Sequence, residues 1–166
     1  MGQRYLIALG SNRRHHRHGR PEQVLDAALQ ALGKAGVKVK RVAPVLRNPP
    51  IGPSLRRYAN GAALVKSKLE PQEMLDLLKR IERQFGRRNG GQRWATRVLD
   101  LDIVLWDGGA WSSPDLTIPH PLFRERDFVL RPAAAIAPAW RDPLSGLTLR
   151  QLHSRLTRRA RLPKRD

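Results

Sequence analysis

Cysteine is absent from the 166 residues, which excludes a disulfide framework, a thiolate metal site and a cysteine nucleophile. Aromatic side chains are sparse, only 5% of the chain, although the hydrophobic content is enough to fold. The longest early apolar run, Tyr5 to Leu9, is too short for a signal peptide or a membrane span. Position 6 is Leu where N-myristoylation after Met1-Gly2 wants Ser or Thr. Acidic residues are scarce too, 14 against 32 Lys and Arg, for a formal charge of +18. No glycine-rich phosphate loop followed by Lys occurs, and the protein-kinase signatures are missing. Any phosphate chemistry must therefore rest on arginine side chains and a bound cation.

The hydrophobic content of 40% supports one domain over residues 1–166, with basic, solvated segments at 13–20 and 157–166. A monomer in the cytoplasm, with no membrane partner, is the expectation. The spacing predicts a strand over Arg4–Leu9, a turn at Gly10-Ser11-Asn12 and a helix from Pro21 to Leu32 with Leu25, Ala28, Leu29 and Leu32 inward. Val37–Val45 and Asn60–Ser67 read as strands separated by a proline-rich loop that cannot continue either one. A second helix opens at Pro71 and carries Met74, Leu78, Ile81 and Phe85 on one face. A Gly- and Arg-rich loop, 86–96, leads into another strand. The resulting βαββαβ order predicts a ferredoxin-like α+β sandwich, an antiparallel sheet with helices packed on one face. Further on, Leu116–Ile118 suggests a short strand, Pro121–Arg126 a helical turn and Phe128–Ile136 a short helix. Thr148 is placed to cap a last helix bearing Leu149, Leu152 and Leu156.

Chemistry concentrates in Arg93–Trp106, RWATRVLDLDIVLW. On a strand, Leu99, Leu101, Ile103 and Leu105 share one face, and Asp100 and Asp102 share the other, roughly 7 Å apart. Adjacent carboxylates repel, and the usual relief is a hard cation such as Mg²⁺. Alternating Asp can also be merely the wet face of a sheet. Four arginines within eleven residues, Arg87, Arg88, Arg93 and Arg97, tip the reading toward an anion, since guanidinium grips phosphate oxygens. Tyr58 and Asn60 point the same way at a strand start and suit a flat heterocycle, one stacking and one hydrogen bonding. Prolines on both sides of His120 pin an imidazole able to donate to phosphate or move a proton. His15, His16 and His18 sit among arginines that would repel a cation, and no carboxylate or thiolate completes a metal set.

Several motifs in a fixed order carry a resemblance. Gly10-Ser11-Asn12, Asn48-Pro49-Pro50-Ile51-Gly52, Tyr58-x-Asn60, Arg93-Trp94-x-x-Arg97, Leu99-Asp100-Leu101-Asp102, Ile118-Pro119-His120-Pro121, Arg126-x-Phe128 and Ile136-Ala137-Pro138 together resemble the 6-hydroxymethyl-7,8-dihydropterin pyrophosphokinase family of folate biosynthesis. The resemblance implies transfer of pyrophosphate from ATP to the pterin's hydroxymethyl oxygen, with AMP released. It implies two Mg²⁺ ions on Asp100 and Asp102, with Arg87, Arg97 and His120 as catalytic groups. ATP would meet Arg87, Arg97, His120 and Arg126; the pterin would meet Asn48, Tyr58, Asn60, Trp94 and Phe128. The rival reading is a basic RNA-binding sheet, against which Asp100 and Asp102 argue, because carboxylates on that face repel phosphate unless metal intervenes.

Overall fold

The computed structural model describes residues 2–12, 15–48, 58–86 and 98–161. In chain order the elements are β1 (Gln3–Ser11), α1 (Pro21–Lys34), β2 (Lys38–Val42), β3 (Leu46–Asn48), β4 (Tyr58–Ser67), α2 (Pro71–Gln84), β5 (Asp100–Trp106), β6 (Trp111–Ser113), β7 (Leu116–Ile118), α3 (Asp127–Ile136) and α4 (Leu149–Arg161). A single 3₁₀ turn, Phe123–Glu125, precedes α3. The main sheet runs β2-β4-β1-β5, antiparallel throughout, and β3 also pairs with β4. With β2 and β3 counted as one interrupted strand, this is the ferredoxin-like order. The interruption falls at Pro44: Ala43 still donates to the Ala62 carbonyl, but proline has no N–H to carry the ladder on.

The helices start where their capping chemistry allows. Pro21 and Pro71 open α1 and α2, and the side chains of Gln23 and Glu73 reach back to the amides of Arg20 and Glu70. Before α4 the exchange is reciprocal: Thr148 Oγ1 accepts from the Gln151 amide, and Gln151 accepts from the Thr148 amide. Thr148 therefore caps this helix as its sequence position suggests.

The sheet is covered on both faces, not on one. Tyr5, Ile7, Leu9, Leu101 and Ile103 pack under α1 and α2. Leu6, Ala62, Val104 and Leu105 pack with Phe123, Leu130, Ala133 and Leu149 of the C-terminal segment. The cause lies in β1, whose apolar side chains occupy successive positions and so demand cover on both sides. Leu105 is a correction to the expected alternation. A bulge opposite Leu6 and Ile7 inserts Val104, so Val104 and Leu105 both turn to the α3 face. Residues 111–113 form a strand that lacked any β-branched signal; they pair with β7.

Two buried carboxylates hold the scaffold that presents β5 and the C-terminal segment. Strand β5 ends the sheet, and the buried Glu82 of α2 accepts the Leu101 amide at 3.2 Å, closing that edge between Asp100 and Asp102. Asp142, fully buried, takes two bonds from Arg124, from Nε at 2.6 Å and Nη2 at 2.7 Å, with further bonds from Ser145 and the Leu144 amide. Burial alone would raise the Asp142 pKa; the bonds from Arg124, Ser145 and Leu144 outweigh it and hold it down at about 2.

Replacing Glu82 with Ala strands a buried amide and should cost about 1–3 kcal/mol in denaturant unfolding, with Glu82→Gln restoring most of it; an Ala variant as stable as wild type contradicts this role. The Asp142 carboxyl is more acidic folded than unfolded. Its stabilisation is therefore complete above about pH 4 and lost as pH falls toward about 2. Acid unfolding should steepen across that window in wild type and flatten in Asp142→Asn; identical acid profiles would show the pair to be inert.

Candidate active site

Strand register assembles the core of the site. Gly10 on β1 stands opposite Asn60 on β4 and opposite Asp100 on β5, and one step along, Ala8 stands opposite Asp102. Directly opposed residues in an antiparallel sheet point to the same face. Tyr58, Asn60, Asp100 and Asp102 therefore share one face, the one that Ala62 and Val104 give to α3 further along. The central position of this row carries no side chain. A Cβ at Gly10 would come 3.2 Å from Asn60 Oδ1 and 4.0 Å from Asp100 Cβ, so glycine keeps a slot open between amide and carboxylate. Gly10 and Ser11 belong to β1 rather than to the expected turn, because β4 pairs with β1 through Ser11.

His120 reaches the same neighbourhood from the segment after β7. It follows a cis Ile118–Pro119 peptide, and its amide donates to the Val104 carbonyl at 3.1 Å, tying it to the bulge of the Asp-bearing strand. Its Nδ1 accepts the Leu122 amide at 3.2 Å, which leaves the proton of the neutral ring on Nε2. Burial lowers the His120 pKa, Asp102 opposes the shift and Arg126 adds to it, with a net fall. At neutral pH the ring is thus an uncharged N–H donor among charged neighbours.

Arg126 and Phe128 lie at the start of α3. The guanidinium stands 5.7 Å from the Phe128 ring centroid, and Phe128 is 38% exposed. Asp127 between them is held from two directions, by Arg131 one turn on at 3.0 Å and by His153 of α4 at 3.1 Å. This end of the helix is fixed, while its aromatic ring is left open.

Of the residues singled out from sequence, Tyr58, Asn60, Asp100, Asp102, His120, Arg126 and Phe128 are described. Arg87, Trp94 and Arg97 lie outside the described residues, as do Arg88, Arg93 and the prolines of 49–53. Asn48 is placed by its backbone, opposite Tyr58. Glu82 escaped the sequence reading. The signal for it was a charge four residues after Leu78, on the buried stripe of α2 where a charge needs a partner. The histidines of 15–18 have a packing role: His15 Nδ1 accepts the amides of Arg17 and His18, and the His15 and His18 rings lie against Phe85.

The donor set suits Mg²⁺. No cluster of three or more His, Asp or Glu placed for a metal occurs among the described residues, but Mg²⁺ is commonly held by one or two carboxylates plus substrate phosphates. Asp100 and Asp102 beside the Gly10 slot supply such a pair.

Comparison with known proteins identifies the family. The profile of the 7,8-dihydro-6-hydroxymethylpterin-pyrophosphokinase (HPPK) family matches residues 6–138. A 2-amino-4-hydroxy-6-hydroxymethyldihydropteridine pyrophosphokinase of Synechocystis is 42% identical over 71% of this chain, which spans 60% of that relative's length. The enzyme of that name from Pseudomonas aeruginosa is 37% identical over 86% of both chains. Among solved structures, HPPK-DHPS of Plasmodium falciparum superposes with a TM-score of 0.75 over 96% of this chain and 42% of that one; at 13% identity it speaks for the fold alone. By family profile and by identity to these relatives, the chain is a member of the HPPK family of pyrophosphokinases.

Proposed function

We propose that the protein transfers the pyrophosphoryl group of ATP to 6-hydroxymethyl-7,8-dihydropterin in folate synthesis, in the cytoplasm and as a single-domain monomer. The observation that carries this reading is the row Asn60–Gly10–Asp100, with Asp102 one step along and His120 and Arg126 beside it. It sets a carboxamide next to paired carboxylates with no side chain between, which supports a heterocycle beside a metal-held phosphate. Among the described residues, no helix is long and apolar enough to cross a membrane.

In this reading Tyr58 and Phe128 take the two faces of the pterin, and Asn60 hydrogen-bonds its edge, with Asn48 and Trp94 completing the pocket. The open Phe128 ring supports this, since a flat ligand would bury it. The pterin hydroxymethyl oxygen forms the new bond to the β-phosphorus of ATP. The bond from that phosphorus to the oxygen bridging the α-phosphate breaks, and AMP leaves. Asp100 and Asp102 would hold two Mg²⁺ ions, which neutralise phosphate charge and lower the pKa of a neighbouring hydroxyl. Arg87, Arg97 and Arg126 supply positive charge to the transferring group and the nucleotide, and His120 donates Nε2–H to a phosphate oxygen. Transfer of this kind asks the protein mainly for position and charge.

Incubation with ATP, Mg²⁺ and the reduced pterin should yield AMP and the pterin diphosphate in equal amounts. Asp100→Asn and Asp102→Asn should each lower that rate about a hundredfold or more while leaving thermal unfolding unchanged or improved. Formation of ADP, or full turnover in either variant, contradicts the proposal.

A further inference from the structure

Positive charge gathers at the end of the sheet remote from Asp100, and the proposed reaction has no use for it there. Register places Arg4 of β1 opposite Lys66 of β4, and Lys66 opposite Lys38 of β2. Three cations thus stand in one row on one face. Like charges directly opposed across strands destabilise a sheet. Arg4 finds Asp107 at 3.7 Å, whereas Lys38, Lys66 and Lys68 enter no ion pair among the described residues. Lysine on an edge strand guards against strand addition, and this accounts for Lys38 on β2. It does not account for Lys66, because β4 lies inside the sheet between β2 and β1.

Lys38, Lys66 and Lys68 line a concavity of about 320 Å³, walled by the Ala35–Gly36 turn and by Ser67, with no acidic residue in its lining. The size lies at the lower end of small-ligand sites. Gly2 also lines it: a Cβ there would fall 2.8 Å from Lys66 Cγ, so the glycine gives the lysine stem its path. Ser67 Oγ accepts the Leu69 amide at 3.1 Å and retains its own proton to donate. Three lysines thus line one hollow that has no carboxylate in its wall.

We propose that this concavity binds a small oligophosphate, held by Lys38, Lys66 and Lys68 at the sheet end opposite the Asp100 row. Lysine serves phosphate as a compact point charge, and a multiply charged anion relieves the repulsion built into the row. A small ligand fits better than a nucleic acid. The adjoining groove, which shares Ala35 and Leu69, carries Glu73 and Asp76 beside its arginines. Asp107 bounds the field beyond Arg4. An extended polyanion would run into carboxylates on either side.

The test is calorimetric titration of the full chain with inorganic pyrophosphate, in low-salt buffer with EDTA and no Mg²⁺, conditions that disfavour metal-dependent binding at Asp100 and Asp102. One equivalent should bind, more tightly than inorganic phosphate. Lys38→Gln and Lys66→Gln should each weaken it roughly tenfold, and Gly2→Val should weaken it by displacing Lys66. An Arg150→Gln/Arg155→Gln control removes the same kind of charge from α4 and should leave affinity unchanged. Absence of binding, equal weakening in the α4 control, or loss on Arg126→Ala with the lysine variants unaffected would each overturn the site. Thermal unfolding of each variant confirms that the exposed substitutions leave the fold in place.

Discussion

A single vacancy, the missing side chain of Gly10, governs how the two halves of the site can meet. The glycine sits on β1, which among the described residues is the strand that pairs with both β4 and β5, and at this position Asn60 and Asp100 face each other across it. A side chain there would push against the Asn60 amide at once. Everything on that face follows from the same register: Tyr58 and Asn60 two apart on one strand, Asp100 and Asp102 two apart on another. Hydrogen-bonded strands are stiff supports, which suits chemistry in which placement supplies most of the acceleration.

The second support is the C-terminal segment. It exists as cover for a strand apolar on both faces, and in covering β1 it brings His120 into the field of Asp102 and Arg126. The bulge at Val104 has a part in both tasks. It turns Val104 and Leu105 together toward Phe123 and Leu130, and it frees the Val104 carbonyl to receive the His120 amide. The Arg124–Asp142 pair then locks the turn preceding Arg126 to the loop before α4, with its charges matched and its oxygens occupied.

Much of this was legible in the amino-acid order. Helices α1 and α2 announce themselves by apolar spacing and an opening proline, and the strand pairs Tyr58/Asn60 and Asp100/Asp102 by simple alternation. The failures have local physical causes. Alternation assumes an unbroken ladder, so a one-residue bulge sent Leu105 to the wrong face. The split between β2 and β3 depends on where Pro44 falls relative to its partner strand, which only pairing reveals. Glu82 was missed because its partner, a backbone amide, has no signature in sequence, although its place on the buried stripe of α2 was in view. Of the guanidinium set, Arg87 and Arg97 fall outside the described residues, so their placement rests on motif alone.

At the centre of this account stands one claim, that paired carboxylates on β5 engage the nucleotide through divalent metal. Calorimetry with α,β-methylene-ATP, which resists cleavage at the bond in question, addresses it directly. The account predicts binding at least about tenfold tighter with Mg²⁺ than with EDTA, and loss of that difference in a chain lacking both Asp100 and Asp102 carboxylates. Equal affinity with and without Mg²⁺ in the wild-type protein, or a metal effect that survives removal of both carboxylates, would contradict it.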